Sequence, residues 1–197
     1  MKLNWAERLA VNNPLRILQQ RLEIRRLRQQ MPLAPGSIAL EIGCGRGIGA
    51  GLILKEFQPA RVHALDLDIG MVRRAKRYLS AQKKRTSLLV GDVSCLPLRA
   101  GSVDAVFGFG VLHHVSDWRA ALGEIARVLK PGGTYFLEEL YPAVYQNFIT
   151  KHVLLHPRED RFSSLDLKQA LAQAGLPLKQ ALELKQLGIL GYALKGI

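Results

Sequence analysis

From residue 37 onward the chain alternates short apolar runs with segments of helical period, and no other feature restricts its fold as much. Strands are expected at 37–42, 61–67, 86–90, 103–109 and 134–140. Helices are expected at 48–57, 70–82, 118–129 and 165–174. The helix at 118–129 meets Lys130-Pro131-Gly132-Gly133, and the one at 165–174 is closed by Gly175. Strand-then-helix units in series imply a parallel sheet covered by helices on both faces. The tail adds two runs, 178–184 and 189–194, close enough to pair antiparallel. The expectation is therefore an α/β fold: a doubly wound, seven-stranded sheet, mostly parallel with an antiparallel last strand. The long irregular stretch 141–164 reads as a lid or substrate region.

Residues 5–31 have few breakers after Pro14 and read as a helix that Pro32 and Pro35-Gly36 end. At 100° per residue, Leu15, Leu18 and Leu22 share one side, and Ile17, Ile24, Leu27 and Met31 the other. The chain is thus divided into an N-terminal helical extension, 1–36, and a single domain, 37–197. Of 28 basic residues, seven lie in 1–36 against two acidic ones. Seven more lie in 73–85, where there is no acidic residue. Two cysteines, Cys44 and Cys95, do not make a disulfide framework, which fits a reducing, cytoplasmic setting. No signal-peptide core opens the chain, and no apolar run nears the roughly 18 residues of a membrane span.

Between the first strand and its helix runs Glu41-Ile42-Gly43-Cys44-Gly45-Arg46-Gly47-Ile48-Gly49. Glycines there let backbone approach a ligand, at the strand ends where doubly wound sheets bind theirs. Two cofactors compete for this loop. Gly45-x-Gly47-x-x-Ala50, with Asp66 placed 21 residues after Gly45, fits a dinucleotide fingerprint. Glu41 argues the other way: a carboxylate beside the loop repels a pyrophosphate and suits a ligand carrying an ammonium and a sulfonium.

Further motifs follow in order. They are His63-Ala64-Leu65-Asp66-Leu67-Asp68; Gly91-Asp92-Val93 with Leu96-Pro97-Leu98; Ser102-Val103-Asp104-Ala105-Val106 through Val111-Leu112-His113-His114-Val115; and Glu124 through Gly133. Arg161-Phe162-Ser163-Ser164 leading to Ala174-Gly175-Leu176 comes last. Together with Leu40–Gly47 they resemble the class I S-adenosylmethionine-dependent methyltransferases, in the small-molecule branch similar to ubiquinone and menaquinone biosynthesis enzymes. The resemblance spans roughly 36–197 and implies a Rossmann-like domain.

It also implies roles. Asp66 would accept both ribose hydroxyls, with Leu67 beside it; Asp92 would take the adenine amino group, near the Val93 N–H. Gly43, Gly45 and Gly47 would line the methionine and ribose portion, Glu41 would sit by the ammonium, and Phe109 would meet the methionine moiety. Asp68 reads as a helix N-cap. His114 is the candidate catalytic residue, a base for an oxygen or nitrogen nucleophile. Adjacent His113 and His114 do not share a face, and no metal set is expected. Tyr141, Tyr145, Asn147, His152 and His156 fall in the lid region.

The expected acceptor is a small molecule, lipid- or quinone-like. Nucleic acid is less favoured: after the fourth strand stands Phe109-Gly110-Val111-Leu112-His113, not an Asp/Asn-Pro-Pro-aromatic motif. Residues 73–85 also run toward the strand ends opposite the cofactor crevice. Arginines between apolar residues in the N-terminal helix suit an anionic membrane surface. An RNA or protein methyltransferase and a non-catalytic cofactor-binding module are the alternatives.

Overall fold

In the computed structural model, residues 13–145, 161–184 and 187–196 are described. The strands are β1 (Ile38–Ile42), β2 (Arg61–Asp66), β3 (Thr86–Val90), β4 (Val103–Phe109), β5 (Leu129–Leu140), β6 (Leu178–Leu184) and β7 (Gly188–Leu194). They form one sheet in the order β3-β2-β1-β4-β5-β7-β6. β1 to β5 run parallel, and β7 lies antiparallel between β5 and β6. The order switches between β1 and β4, so a crevice opens at their carboxyl ends.

The helices are α1 (Pro14–Gln30), α2 (Ile48–Glu56), α3 (Ile69–Tyr78), α4 (Trp118–Val128), the short α5 (Pro142–Tyr145) and α6 (Ser164–Gln173). β1, β4 and most of β5 are buried, which is why they read as continuous apolar runs. On one face Ile24 and Leu27 of α1, Ala50, Ile53 and Leu54 of α2 and Ala75 of α3 pack with Phe57, Phe107 and Phe136. On the other, Trp118, Leu122 and Ile125 of α4 and Leu167 and Leu171 of α6 pack with Leu40, Val106 and Tyr135. Local signals set the starts. Asn13, Asp68 and Asp117 side chains accept the Leu15, Gly70 and Ala120 N–H groups, and Ser163 with Asp166 forms a capping box.

Two boundaries depart from expectation. The third helix stops at Tyr78 and tightens into a 3₁₀ turn at Ser80–Gln82, because Leu79 turns inward to be buried before the chain enters β3. β5 starts at Leu129, before the glycines: Leu129 pairs with Val103, a bulge follows, and the ladder resumes at Thr134 opposite Ala105. Lys130 is held there by Asp104 at 2.7 Å, so Lys130–Gly133 acts as a bulge within the strand. α1 is described from Pro14; the part of that expected helix before residue 13 lies outside the described residues.

Candidate functional site

A cavity of about 540 Å³ lies at the carboxyl ends of β1, β2, β4 and β5. Three acids predicted from sequence meet in it: Glu41 is the penultimate residue of β1, Asp66 ends β2, and Asp92 follows β3. Glu41 is buried, and one carboxylate oxygen takes the Ala50 N–H, while Oε2 has no hydrogen-bond partner among the described residues. Burial pushes its carboxyl up to about 8, and nearby Asp66 adds to the rise. An added Cβ at Gly49 would stand 1.8 Å from Glu41 Oε1, so the glycine is what admits this carboxylate.

Asp66 ties two turns together. Oδ2 accepts the Gly45 N–H and Oδ1 the Asp68 N–H, both at 2.8 Å. Burial raises its carboxyl against these donors. Asp92 accepts from the Ser94 hydroxyl and, at 2.9 Å, the Ser94 N–H; these bonds hold its carboxyl below the usual range. Val93 beside it is buried, and Leu67 is exposed at the rim. Asp68 caps α3, as expected.

Gly43 and Gly45 line the cavity. At Gly45, where φ is +53°, a Cβ would meet nothing within 4 Å, so open cavity borders this backbone. Gly47, at the other end of the loop, stands apart from these two. It does not line the cavity but is buried at the start of α2, where a Cβ would meet Ala75 and Leu79 at 3.0–3.2 Å. Its glycine serves the approach of α2 to α3. Cys44 lines the cavity with its thiol pushed up by burial, which makes it a poor nucleophile.

Phe109, His113 and His114 also line the cavity. The two histidines sit on a 3₁₀ turn (Leu112–His114), with ring centroids 4.3 Å apart. This turn is held by a residue that sequence reasoning missed. Glu139 on β5 is fully buried and accepts the Val111, Leu112 and His113 N–H groups at 3.0, 2.8 and 3.3 Å. It also pairs with His113 Nδ1 at 2.8 Å. His113 is thereby buried and fixed, while His114 is partly exposed.

The neighbouring Glu138 faces the other layer. Its Oε2 meets Arg16 of α1 at 2.6 Å, and Arg16 also contacts Glu23 at 3.0 Å. Burial raises the Glu138 carboxyl while Arg16 pulls it down. Arg16, Ile17, Gln19 and Gln20 of α1 all border the cavity, so the extension forms part of the site's wall. Two consecutive acids inside an apolar strand were the available signal for the pair on β5. Of the residues expected in a lid, Tyr141 is buried with its hydroxyl bonded to Glu183 at 2.8 Å; Asn147, His152 and His156, and the Tyr145 side chain, lie outside the described residues.

An aminoacyl sulfonium nucleoside fits these groups. The orphaned Glu41 oxygen matches an ammonium, Asp66 retains lone pairs for a diol, and Asp92 matches an exocyclic amine. A dinucleotide brings no ammonium to the orphaned Glu41 oxygen, which disfavours that reading.

Residues 40–137 match the family described as Methyltransferase domain. A malonyl-[acyl-carrier protein] O-methyltransferase from Methylovorus is 29% identical over 169 residues, covering 81% of this chain and 57% of that protein. A demethylmenaquinone methyltransferase from Corynebacterium urealyticum is 31% identical over 139 residues, covering 71% and 57%. The chain spans 30% to 57% of the length of the curated relatives it matches. Geranyl diphosphate C-methyltransferase from Streptomyces coelicolor, solved with S-adenosyl-L-homocysteine, shares the fold with a TM-score of 0.74. It is 17% identical, with 90% of this chain and 75% of that one covered. With its sheet order, the three acids gathered in its cavity and these matches, the chain belongs to the class I S-adenosylmethionine-dependent methyltransferases.

Proposed function

We propose that this chain transfers the methyl group of S-adenosylmethionine to a small amphiphilic acceptor, lipid- or quinone-like. One observation carries the reading: a buried, orphaned Glu41 oxygen in the same cavity as Asp66 and Asp92. The cofactor, when bound, supplies a methyl already activated by the sulfonium. The chain's residues then bind, align and exclude water. Glu41, Asp66 with Leu67, and Asp92 with Val93 hold the cofactor's polar groups; Gly43, Gly45 and Phe109 border them. Phe109, Val111, Val115 and Leu140 give the cavity its apolar wall, which suits an acceptor with a hydrocarbon portion. Among relatives, one is named for demethylmenaquinone and another for a sterol, which supports that acceptor class.

His113 is committed to Glu139 through Nδ1, and we assign it to positioning the turn. His114, more accessible on the same turn, is the base for an acceptor O–H or N–H.

Calorimetric titration with S-adenosylmethionine and S-adenosylhomocysteine tests the cofactor; transfer of labelled methyl into quinols, fatty acids and sterols tests the acceptor class. Binding followed by label in the organic phase is the expected result. Binding of a nicotinamide dinucleotide in place of S-adenosylhomocysteine would sink the reading.

Glu41 also predicts a pH dependence. With its carboxyl raised to about 8, it is mainly protonated at pH 6 and pairs with an ammonium only on losing that proton. Affinity for S-adenosylhomocysteine is therefore expected to rise with pH from 6 to 7.5, by up to about tenfold per unit, while the ligand amine stays charged. The rise should vanish in Glu41→Gln. A flat profile in the native protein would remove Glu41 from ammonium binding.

A further inference from the structure

α1 is apolar on two sides, and the fold uses only one. Ile24 and Leu27 are buried against the sheet, and Ile17 faces the cavity with Arg16 and Gln20. On the opposite side Leu15, Leu18 and Leu22 are 73%, 53% and 58% exposed. Three leucines at helical spacing on one face, all more than half exposed, form a stripe rather than scattered surface residues. The same side continues into exposed Arg25 and Arg26, with exposed Arg28 nearby. The helix holds five arginines and a single acid, Glu23. Glu23 is turned to Arg16, and Arg25 is paired with Glu56 of α2 at 3.0 Å, which leaves Arg26 and Arg28 as the outward charge. The outward face is thus leucines followed by positive charge.

We infer that the outer face of α1, built on Leu15, Leu18, Leu22 and Arg26, docks on an anionic lipid bilayer. This rests on the amphiphilic-acceptor reading above and deepens it, since the helix that touches the bilayer is the one whose inner residues border the cavity. Charge complementarity selects this occupant. A second copy of the chain would set arginine against arginine. A nucleic acid would satisfy the arginines and leave three leucines in water. An anionic bilayer takes both: leucine side chains enter the acyl boundary and the guanidinium groups meet phosphate. A helix lying in the interface also explains why α1 has apolar residues on both sides instead of one. An acceptor dissolved in that bilayer then reaches the cavity along α1, without crossing water.

The test is flotation of the full chain with vesicles of phosphatidylcholine alone and of phosphatidylcholine with 30% phosphatidylglycerol, with no cofactor or acceptor present. The native protein is expected to float with the anionic vesicles and stay behind with the neutral ones. Leu18→Asp/Leu22→Asp is expected to lower partitioning at least tenfold, and Arg26→Ala by about fivefold. Neither change touches the cavity, so S-adenosylhomocysteine binding, measured by calorimetry, should remain within twofold of native and certify the fold. Arg74→Ala/Arg77→Ala, in the basic stretch of α3, should leave flotation unchanged. The proposal is overturned if native protein ignores anionic vesicles, if the leucine variant floats as well as native, or if the α3 variant alone abolishes flotation. It is also overturned if the leucines prove to be covered by a second copy, seen as a dimer in sedimentation that the leucine variant dissolves. Loss of S-adenosylhomocysteine binding in the native protein would instead refute the methyltransferase reading, and the two failures are read separately.

Discussion

Asp66→Ala is expected to weaken S-adenosylhomocysteine binding by about 100-fold or more. The carboxylate does two jobs at once. It holds the Gly45 and Asp68 N–H groups, each at 2.8 Å, and so fixes both the glycine loop and the start of α3 around the cavity. In the function proposed above, it also offers its remaining lone pairs to a vicinal diol. Charge-assisted hydrogen bonds are worth about 1.5–3 kcal/mol each, and two lost interactions amount to at least ~3 kcal/mol. At about 1.4 kcal/mol per tenfold, that is two orders of magnitude in affinity. Asp66→Asn keeps an acceptor oxygen and should lose about tenfold. Calorimetry reads both, with thermal unfolding of the free proteins as the control for the loop. An alanine variant that binds within threefold of native would remove Asp66 from the site.

The second large effect is on stability. Glu139→Ala is expected to cost about 4 kcal/mol and lower Tm by about 10 °C. The side chain is fully buried, and its removal strands three backbone N–H groups and the His113 imidazole. Breaking a buried network from one side costs more than the network contributes, because the remaining groups stay desolvated. Glu139→Gln retains one acceptor and should fall between. Melting followed by circular dichroism decides: a loss below about 1 kcal/mol in the alanine variant would mean that water or a rearranged turn replaces the carboxylate.

How far this molecule was legible from sequence depended on whether the signal was local. The strands at 38–42 and 103–109 were readable because both faces of a central parallel strand are apolar. Glu41, Asp66 and Asp92 stood out through a charge argument, a spacing and a family resemblance, and they share the cavity because β1, β2 and β3 all point their carboxyl ends at it. The β6–β7 pair was readable from two short runs in close succession. At Gly47 the sequence does not show the packing: a glycine close to a neighbouring helix looks the same as one beside a ligand, and only the structure brings Ala75 and Leu79 against it. The start of β5 at Leu129 was hidden because Pro131-Gly132-Gly133 signals a turn, whereas a bulge absorbs it within the ladder. The Arg16–Glu138 pair joins residues 122 apart in sequence, so no window of sequence contains both.

The two adjacent glutamates of β5 bear on a problem of strand alignment. From Thr134 to Glu139 every residue is buried, so the apolar pattern does not distinguish the strand from itself slid along by one position. A slip of one residue in such a strand exchanges one buried face for the other at little hydrophobic cost. Glu138 finds its cation in only one layer, on α1, and Glu139 finds its N–H donors only in the other, on the turn after β4. Sliding β5 by one would move one of the two acids into its neighbour's slot and carry the other past both sets of partners, leaving a buried acid with neither cation nor N–H donors. Alignment of this strand is therefore keyed by electrostatics where hydrophobicity is silent, and the key is set at the strand end that walls the cavity.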